Sequence, residues 1–474
     1  MVFSSVTFIF FFLPLTLILY YVLPKKWRNW VLLTLSLIFY ICGGISCFPI
    51  IVMSITVNYI GGRFIEYFRN KDDEKKSKAA MIITVILNLA NLGYWKYAMF
   101  LVGIFSSVTH IPVEIAQITL PIGISFYTFL GMSYVIDLYN RKCQVQRNYF
   151  KLALYVALFP QLIAGPIVRY SDVEAEISER THSIELVTAG IRRFIIGLGK
   201  KAIIANSLAA IADEVFGNAA YQNTPAVAWV GLIAFTIQVY FDFSGYSDMA
   251  IGLGLMFGFH FKENFNYPFI SKSIGEIWGR WHISMSSWFR DYVYFPMGGS
   301  RRGNVYVNTI VLFALTGLWH GATWNMIFFG LYFAIILCFE RFFGKGAGAK
   351  LGIHLPDWAK HVVTLLLWTL GHVLTKTETL GAAIPYYRAL FGLEKLSNVE
   401  FTLPHYLGRY EIFIFVVAIF GSLPFAKEWF VKLGERMNER SFTVLKNVLS
   451  LALFAVSVMY VVTGTCNPFI YFRF

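Results

Sequence analysis

Apolar runs long enough to cross a bilayer recur from end to end of this 474-residue chain, with clusters of lysine and arginine between them. A helix needs about 20 predominantly apolar residues to span the hydrocarbon core. Runs approaching that length lie near Val2–Leu23, Cys47–Ile65, Ala80–Ile104, Ile115–Leu138, Arg192–Ile211, Trp324–Phe342 and Val444–Thr463, and one within Ala226–Phe259. Shorter runs lie near Trp30–Cys42, Val305–His320, His361–Leu374 and Ile412–Phe425. Hydrophobic residues make up 57% of the chain and charged residues only 14%, where soluble domains carry about 25% charge. A soluble core cannot hide that much apolar surface. The same composition excludes a disordered chain, collagen, a coiled coil and a disulfide scaffold. The expected fold is all-α: a polytopic transmembrane bundle of about 11–13 spans with re-entrant or interfacial segments, forming one integral-membrane domain over residues 1–474.

The excess of 40 Lys and Arg over 27 Asp and Glu, a net charge of +13, would suggest nucleic-acid binding in a soluble protein. Its distribution points elsewhere. Basic clusters at Lys25–Arg28, Arg69–Lys78, Arg141–Lys151, Arg341–Lys350 and Lys427–Arg440 are separated by even numbers of crossings. They can therefore share the cytoplasmic face under the positive-inside rule. That removes nucleic acid as a needed partner and places the N-terminus and the tail NPFIYFRF outside. The first apolar run lacks a basic leader and a small-residue cleavage site, so it reads as a span rather than a signal peptide. The stretch ALFPQLIAGPIVRY is broken by Pro160, Gly165 and Pro166 and reads as a re-entrant hairpin, because the freed backbone must be satisfied inside protein. Residues 260–303 mix charge and tryptophan and read as an interfacial or partly inserted segment.

Few polar residues sit among the apolar runs. His320, in LTGLWHGATWN, is either a proton acceptor kept neutral by burial or a helix-end histidine bonded to a carbonyl. Gly317 and Gly321 beside it allow close approach of a substrate or another helix. His282, in GRWHISMSSWFRDY, would share a helix face with Ser286 and Phe289, with Glu276 and Arg280 paired one turn apart. That segment is either an interfacial amphipathic helix or a polar cavity wall. Asp242 and Asp248 need partners, with Arg280 and Arg290 as candidates, and favour a structural polar network. Asp137 and Lys96 read as buried partners or interface residues. Gly254 and Gly258 read as a helix-packing step. The turn GGSRRG, with Arg301 and Arg302, can hold phosphate or be a plain turn. Tyr471 is either an interfacial anchor or a phenol able to carry an acyl group. Five cysteines form no CxxC, no metal-ligand cluster is evident, and Walker A, HExxH and GxSxG motifs are missing.

Several of these segments together resemble the membrane-bound O-acyltransferase (MBOAT) family, in its alginate O-acetylation branch. They are MVFSSVTFIFFFLPLTLILYY, LPIGISFYTFLGMSYVIDLY, FPQLIAGPIVRY, VYFDFSGYSDMAIGLGLMFGF, NFNYPFISKSIGEIWGRWHISMSSWFRDYVYFPMGGSR and LTGLWHGATWNMIFFG. The resemblance runs from residue 1 to about 343 and includes the C-terminal tail; residues 354–440 carry no matching motif. It implies a bundle around a tunnel, with a catalytic core over 115–343 and a C-terminal span and outward tail over 444–474. It implies transfer of an acyl group, usually acetyl from acetyl-CoA, to a hydroxyl. His320 in WHGA would be the catalytic histidine and His282 in RWHIS the second. Arg290, Arg301 and Arg302 would be candidates to meet the phosphates of CoA. The branch serves cell-surface polysaccharides in a bacterial cell membrane and implies an extracytoplasmic SGNH-type partner, with Tyr471 as a candidate acyl carrier. Lipid acylation, D-alanyl transfer and a non-enzymatic glycan transporter are the alternatives.

Overall fold

The computed structural model describes residues 1–113, 116–345 and 355–464. Among them every regular element is a helix. Six helices are long and apolar enough to cross a membrane, and a seventh span is possible if the pair Arg409–Gly421 and Phe425–Arg436, bent by 68°, counts as one. The chain is an integral membrane helical protein, as its composition predicts. Several of the predicted runs form shorter helices, among them Phe8–Val22 and Val305–His320. Arg28–Ile41 stops before Gly44, which takes φ +149°, and Ile124–Tyr139 starts after Gly123 at φ +74°. These glycines turn the chain where a side chain would be strained.

Two compact units divide the chain. The first comprises Met1–Phe194 and Ser247–Lys262. It holds α1 (Phe8–Val22), α2 (Arg28–Ile41), α3 (Ile45–Arg69), α4 (Glu74–Thr109), α5 (Ile124–Tyr139), α6 (Tyr149–Ala157) and α7 (Tyr170–Ser178). Its core is aromatic, with Phe3, Phe8, Phe39 and Phe159 all nearly inaccessible. Several buried polar groups there are paired internally. Asn58 of α3 and Asn88 of α4 exchange amide hydrogen bonds of 2.9 and 3.0 Å, and each also donates to the carbonyl four residues earlier. The broken stretch behaves the same way: residues 158–168 are buried. Phe159 N donates to Ser36 Oγ at 3.1 Å, and the Tyr155 hydroxyl donates to the Val168 carbonyl at 2.9 Å. Asp137 lies 3.7 Å from Lys142 Nζ and accepts from Ser171, and Lys96 donates to Ser125.

The second unit comprises Ile195–Tyr246 and Glu263–Phe474. Helices α8 (Ile184–Gly217) and α9 (Pro225–Met256) are divided between the units. The second then holds α10 (Ile274–Arg280), α11 (Ile283–Phe289), α12 (Val305–His320), α13 (Trp324–Lys345), α14 (Asp357–Lys376), α15 (Leu380–Leu390), α16 (Arg409–Gly421), α17 (Phe425–Arg436) and α18 (Glu439–Thr463).

Asp242 and Asp248 take other partners than those expected. Within the second unit Asp242 pairs with Lys201 at 2.6 Å, both side chains buried. Within the first, Asp248 pairs with Arg193 at 2.6 Å. Arg280 is held by Glu276 at 2.9 Å and Arg290 by its neighbour Asp291 at 2.8 Å. Cations one helix away in sequence, on α8, can meet the α9 carboxylates inside the bundle, and a buried carboxylate needs such a partner. Gly254 and Gly258 do not form a packing step on one helix. Gly258 lies past the end of α9 at φ +80°.

Helices α12 and α13 cross at Gly317 and Gly330. A Cβ on Gly317 would sit 2.2 Å from the Met326 carbonyl oxygen, and one on Gly330 would sit 2.1 Å from that of Phe313. Backbone cannot yield as a side-chain tip can, so this crossing requires glycine on both helices. Gly317→Val is expected to force α12 and α13 apart and cost about 1–3 kcal/mol or more. A lowered thermal midpoint in detergent, or loss of monodisperse protein, would show it; an unchanged midpoint would contradict the close crossing.

Candidate active site

The α12–α13 crossing fixes His320, the last residue of α12. Its ring lies 4.9 Å from Trp319 and 6.2 Å, edge-on, from Phe329. His320 lines a cavity of about 40 Å³ together with Trp278, Trp281, Met326, Phe329, Trp368, His372 and Thr375. A water occupies about 10–15 Å³ on this measure, so the cavity holds about three heavy atoms. Its walls are mostly aromatic. Trp368 packs edge-on at 5.3 Å from Trp278 and 5.1 Å from Trp281.

Several of the walls are positioned from α13. The N-terminus of α10, which carries Trp278, hangs on the Glu340 carboxylate. That group accepts from Ile274 N at 2.6 Å and Gly275 N at 3.0 Å, two of the donors a helix start leaves unmet. Asn325, of the TWN segment, donates to the Thr377 carbonyl at 2.7 Å and so ties the start of α13 to the end of α14. Gly371 of α14 faces the Phe333 ring, which a Cβ there would meet at 2.8 Å.

His372 is the functional candidate that sequence reasoning missed. Its Nδ1 is 2.9 Å from the Trp368 carbonyl. A carbonyl can only accept, so Nδ1 carries the proton and Nε2 is left as an acceptor. The residue is buried and lines the same cavity as His320. It falls in the segment that matches no motif, and a histidine in an apolar run was the one available signal.

His282 sits where one continuous helix was expected, yet the helix breaks there. Trp281 is extended, and His282 takes a left-handed conformation at φ +46° as the N-cap of α11. It therefore shares no continuous helix face with Ser286 and Phe289. The cause is Asn264. Its carbonyl accepts from Ile283 N at 2.9 Å, and its Oδ1 accepts from His282 Nδ1 at 3.1 Å, Ser284 N at 3.1 Å and Ser284 Oγ at 2.9 Å. His282 is completely buried, with Phe243 at 4.5 Å and Trp319 at 6.0 Å. With Nδ1 donating to Asn264, neutral His282 presents Nε2 as an acceptor.

Trp278 borders a second cavity, of about 280 Å³, lined also by Ser286, Ser287, Phe289, Arg290 and Thr316. The Trp278 indole N–H is buried and meets no acceptor among the described residues, and the same holds for that of Trp368. A buried donor without a partner is costly, and both indoles border space that a ligand can fill. Of the three arginines singled out, Arg290 reaches this cavity. Arg301 and Arg302 are exposed on their turn, where their amides donate to Gly298 O at 3.2 and 3.0 Å. Those amides are engaged in closing the turn. Tyr471 lies outside the described residues. Among the described residues no group of three or more His, Cys, Asp or Glu side chains could hold a metal ion.

Comparison with known proteins gives the class of this membrane helical chain, whose His320 lines a small aromatic cavity. The family model described as MBOAT, membrane-bound O-acyltransferase family, matches residues 114–347. The probable alginate O-acetylase of Azotobacter vinelandii is 38% identical, with all of both chains covered. That of Pseudomonas aeruginosa is 42% identical over 90% of this chain and 82% of its own. The peptidoglycan O-acetyltransferase of Helicobacter pylori is 28% identical over all of this chain and 98% of its own. The chain belongs to the membrane-bound O-acyltransferase family, and it is an O-acyltransferase.

Asn264→Ala is expected to release His282 and leave buried donors unmet. At about 1–3 kcal/mol for each such group, the thermal midpoint falls. Asn264→Asp, which keeps the acceptor oxygen, should fall less. Equal losses in the two variants would contradict the clamp.

Proposed function

We propose that this O-acyltransferase moves an acetyl group from acetyl-CoA toward hydroxyls of a cell-surface polysaccharide, in a bacterial cell membrane. The observation that carries the reading is the cavity at His320. It has room for about three heavy atoms, the number in an acetyl group, and its aromatic walls suit a methyl. The relatives support the acetyl and the glycan, since two are named as alginate O-acetylases and one as a peptidoglycan O-acetyltransferase.

In the proposed reaction His320 accepts the proton of the acceptor hydroxyl as that oxygen attacks the thioester carbon. The carbonyl oxygen gains the charge, and the free Trp278 N–H is suited to donate to it. When the tetrahedral intermediate collapses, the carbon–sulfur bond breaks and His320 returns its proton to the thiolate. His282 and His372 each present an acceptor nitrogen and act by orientation. Arg290, at the larger cavity, is the candidate for the donor's phosphates, and Arg301 and Arg302 are candidates for its outer end. Tyr471 is proposed as the acyl carrier that passes the group to an extracytoplasmic SGNH-type partner.

His320→Ala should lower acetyl transfer from labelled acetyl-CoA by about 10²–10⁴-fold, the range for a general base, without loss of folded protein. Activity within threefold of the parent would end the reading. Trp278→Phe keeps an aromatic ring and removes the N–H; a fall in kcat of about 10²-fold is expected. Tyr471→Phe should abolish label on the protein while His320 remains intact. Label persisting in that variant would remove Tyr471 from the mechanism and leave the rest standing.

A further inference from the structure

The first unit carries a cationic cluster that the acyl-transfer site does not use. It gathers where α1 ends, α2 begins and the chain passes from α7 to α8. Arg28 Nη1 lies 3.1 Å from His182 Nδ1, and His182 Nε2 lies 2.8 Å from the Tyr20 hydroxyl. A guanidinium can only donate, so Nδ1 accepts and Nε2–H donates to Tyr20. Tyr20 also receives Arg180 Nε–H at 3.1 Å and passes its own proton to the Phe257 carbonyl at 3.0 Å. Arg180 further donates to Asn29 Oδ1 at 2.7 Å. Arg28 stacks over Tyr20 at 5.1 Å, and Arg180 lies over Phe259 at 4.5 Å.

Every partner of these two guanidiniums is neutral. Among the described residues neither forms an ion pair. The acids closest in sequence, Glu179 and Glu185, are exposed and form no ion pair with them among the described residues, while Glu176 accepts from His260 at 2.7 Å and Asp172 from Lys262 at 2.5 Å. The Arg28 Nε–H is buried with no acceptor among the described residues. Burial and the two guanidiniums hold the His182 imidazole below its ordinary value, with Lys25 adding to them. Two fixed positive charges so close together, both ordered and neither neutralised, call for an anion.

We propose that this cluster binds the phosphate of an anionic phospholipid headgroup. The hydrocarbon half of such a ligand has its surface beside it. Val22, Leu23, Trp27 and Trp30 are exposed by 77, 38, 50 and 42% at the end of apolar α1 and the start of α2. Aromatic and basic residues at the end of an apolar helix are the setting in which headgroups are met. A soluble phosphate would use the guanidiniums and leave those side chains bare.

The test uses the full-length protein in detergent, with lipid binding read by native mass spectrometry and by thermal midpoint. Phosphatidylglycerol should bind and raise the midpoint, while phosphatidylcholine, whose phosphate is offset by its choline, should do neither. Inorganic phosphate at the same concentration should not displace phosphatidylglycerol. Arg28→Gln with Arg180→Gln should weaken phosphatidylglycerol binding by roughly 30-fold, and Arg28→Lys with Arg180→Lys should restore most of it. Equal binding of the two lipids by the parent protein overturns the proposal whether or not the variants fold. Displacement by inorganic phosphate overturns the lipid assignment, and unchanged binding in a folded Gln variant overturns the site.

Discussion

The contact of α12 with α13 at Gly317 and Gly330 is the constraint on which the candidate active site depends. Two helices without side chains at their crossing approach until backbone meets backbone, and His320 at the end of α12 then has one available position. Walls from α10 and α14 hang on α13 as well. Glu340 holds the start of α10 and with it Trp278, and Asn325 holds the end of α14, which carries Trp368 and His372. Phe333 of α13 closes against Gly371. The cavity is thus built on one straight apolar helix, whose polar residues are used to seat its neighbours.

An apolar surround makes the treatment of each polar group legible. Several structural groups are paired inside the protein, as with Asn58 and Asn88, or Lys201 and Asp242. Hydrocarbon offers no substitute partner. Two sets of unmet groups stand at the proposed sites. The Trp278 and Trp368 indoles border the cavities at His320, and the Arg28–Arg180 cluster lies at the end of an apolar helix. Unspent hydrogen-bonding capacity and uncompensated charge mark the sites proposed for the acyl group and for a lipid phosphate.

Much of this was legible in the sequence, and the misses have physical causes. The helical membrane class follows from composition, because no soluble core absorbs 57% hydrophobic residues. Glu276 and Arg280 pair as their one-turn spacing predicts. The partners of Asp242 and Asp248 were misassigned because ion pairs between helices depend on rotation and depth, which spacing along the chain does not encode. His282 was read on a helix shared with Ser286 and Phe289. The break comes from Asn264, 18 positions earlier, whose amide captures the turn. His372 was missed because only the packing of α14 beside α13 brings it to the cavity at His320.

The sequence by itself determined that the chain is a membrane-embedded helical bundle, that its lysines and arginines fall mainly between the apolar runs, and that His320 and His282 are residues to examine. These are properties of local composition and of short motifs. Only the tertiary structure decided that Gly317 serves a helix rather than a substrate, that His372 joins His320 at one cavity, and that Arg28 and Arg180 share Tyr20. Each of those joins residues far apart in the chain, and their meeting depends on how closely and at what rotation two helices pack.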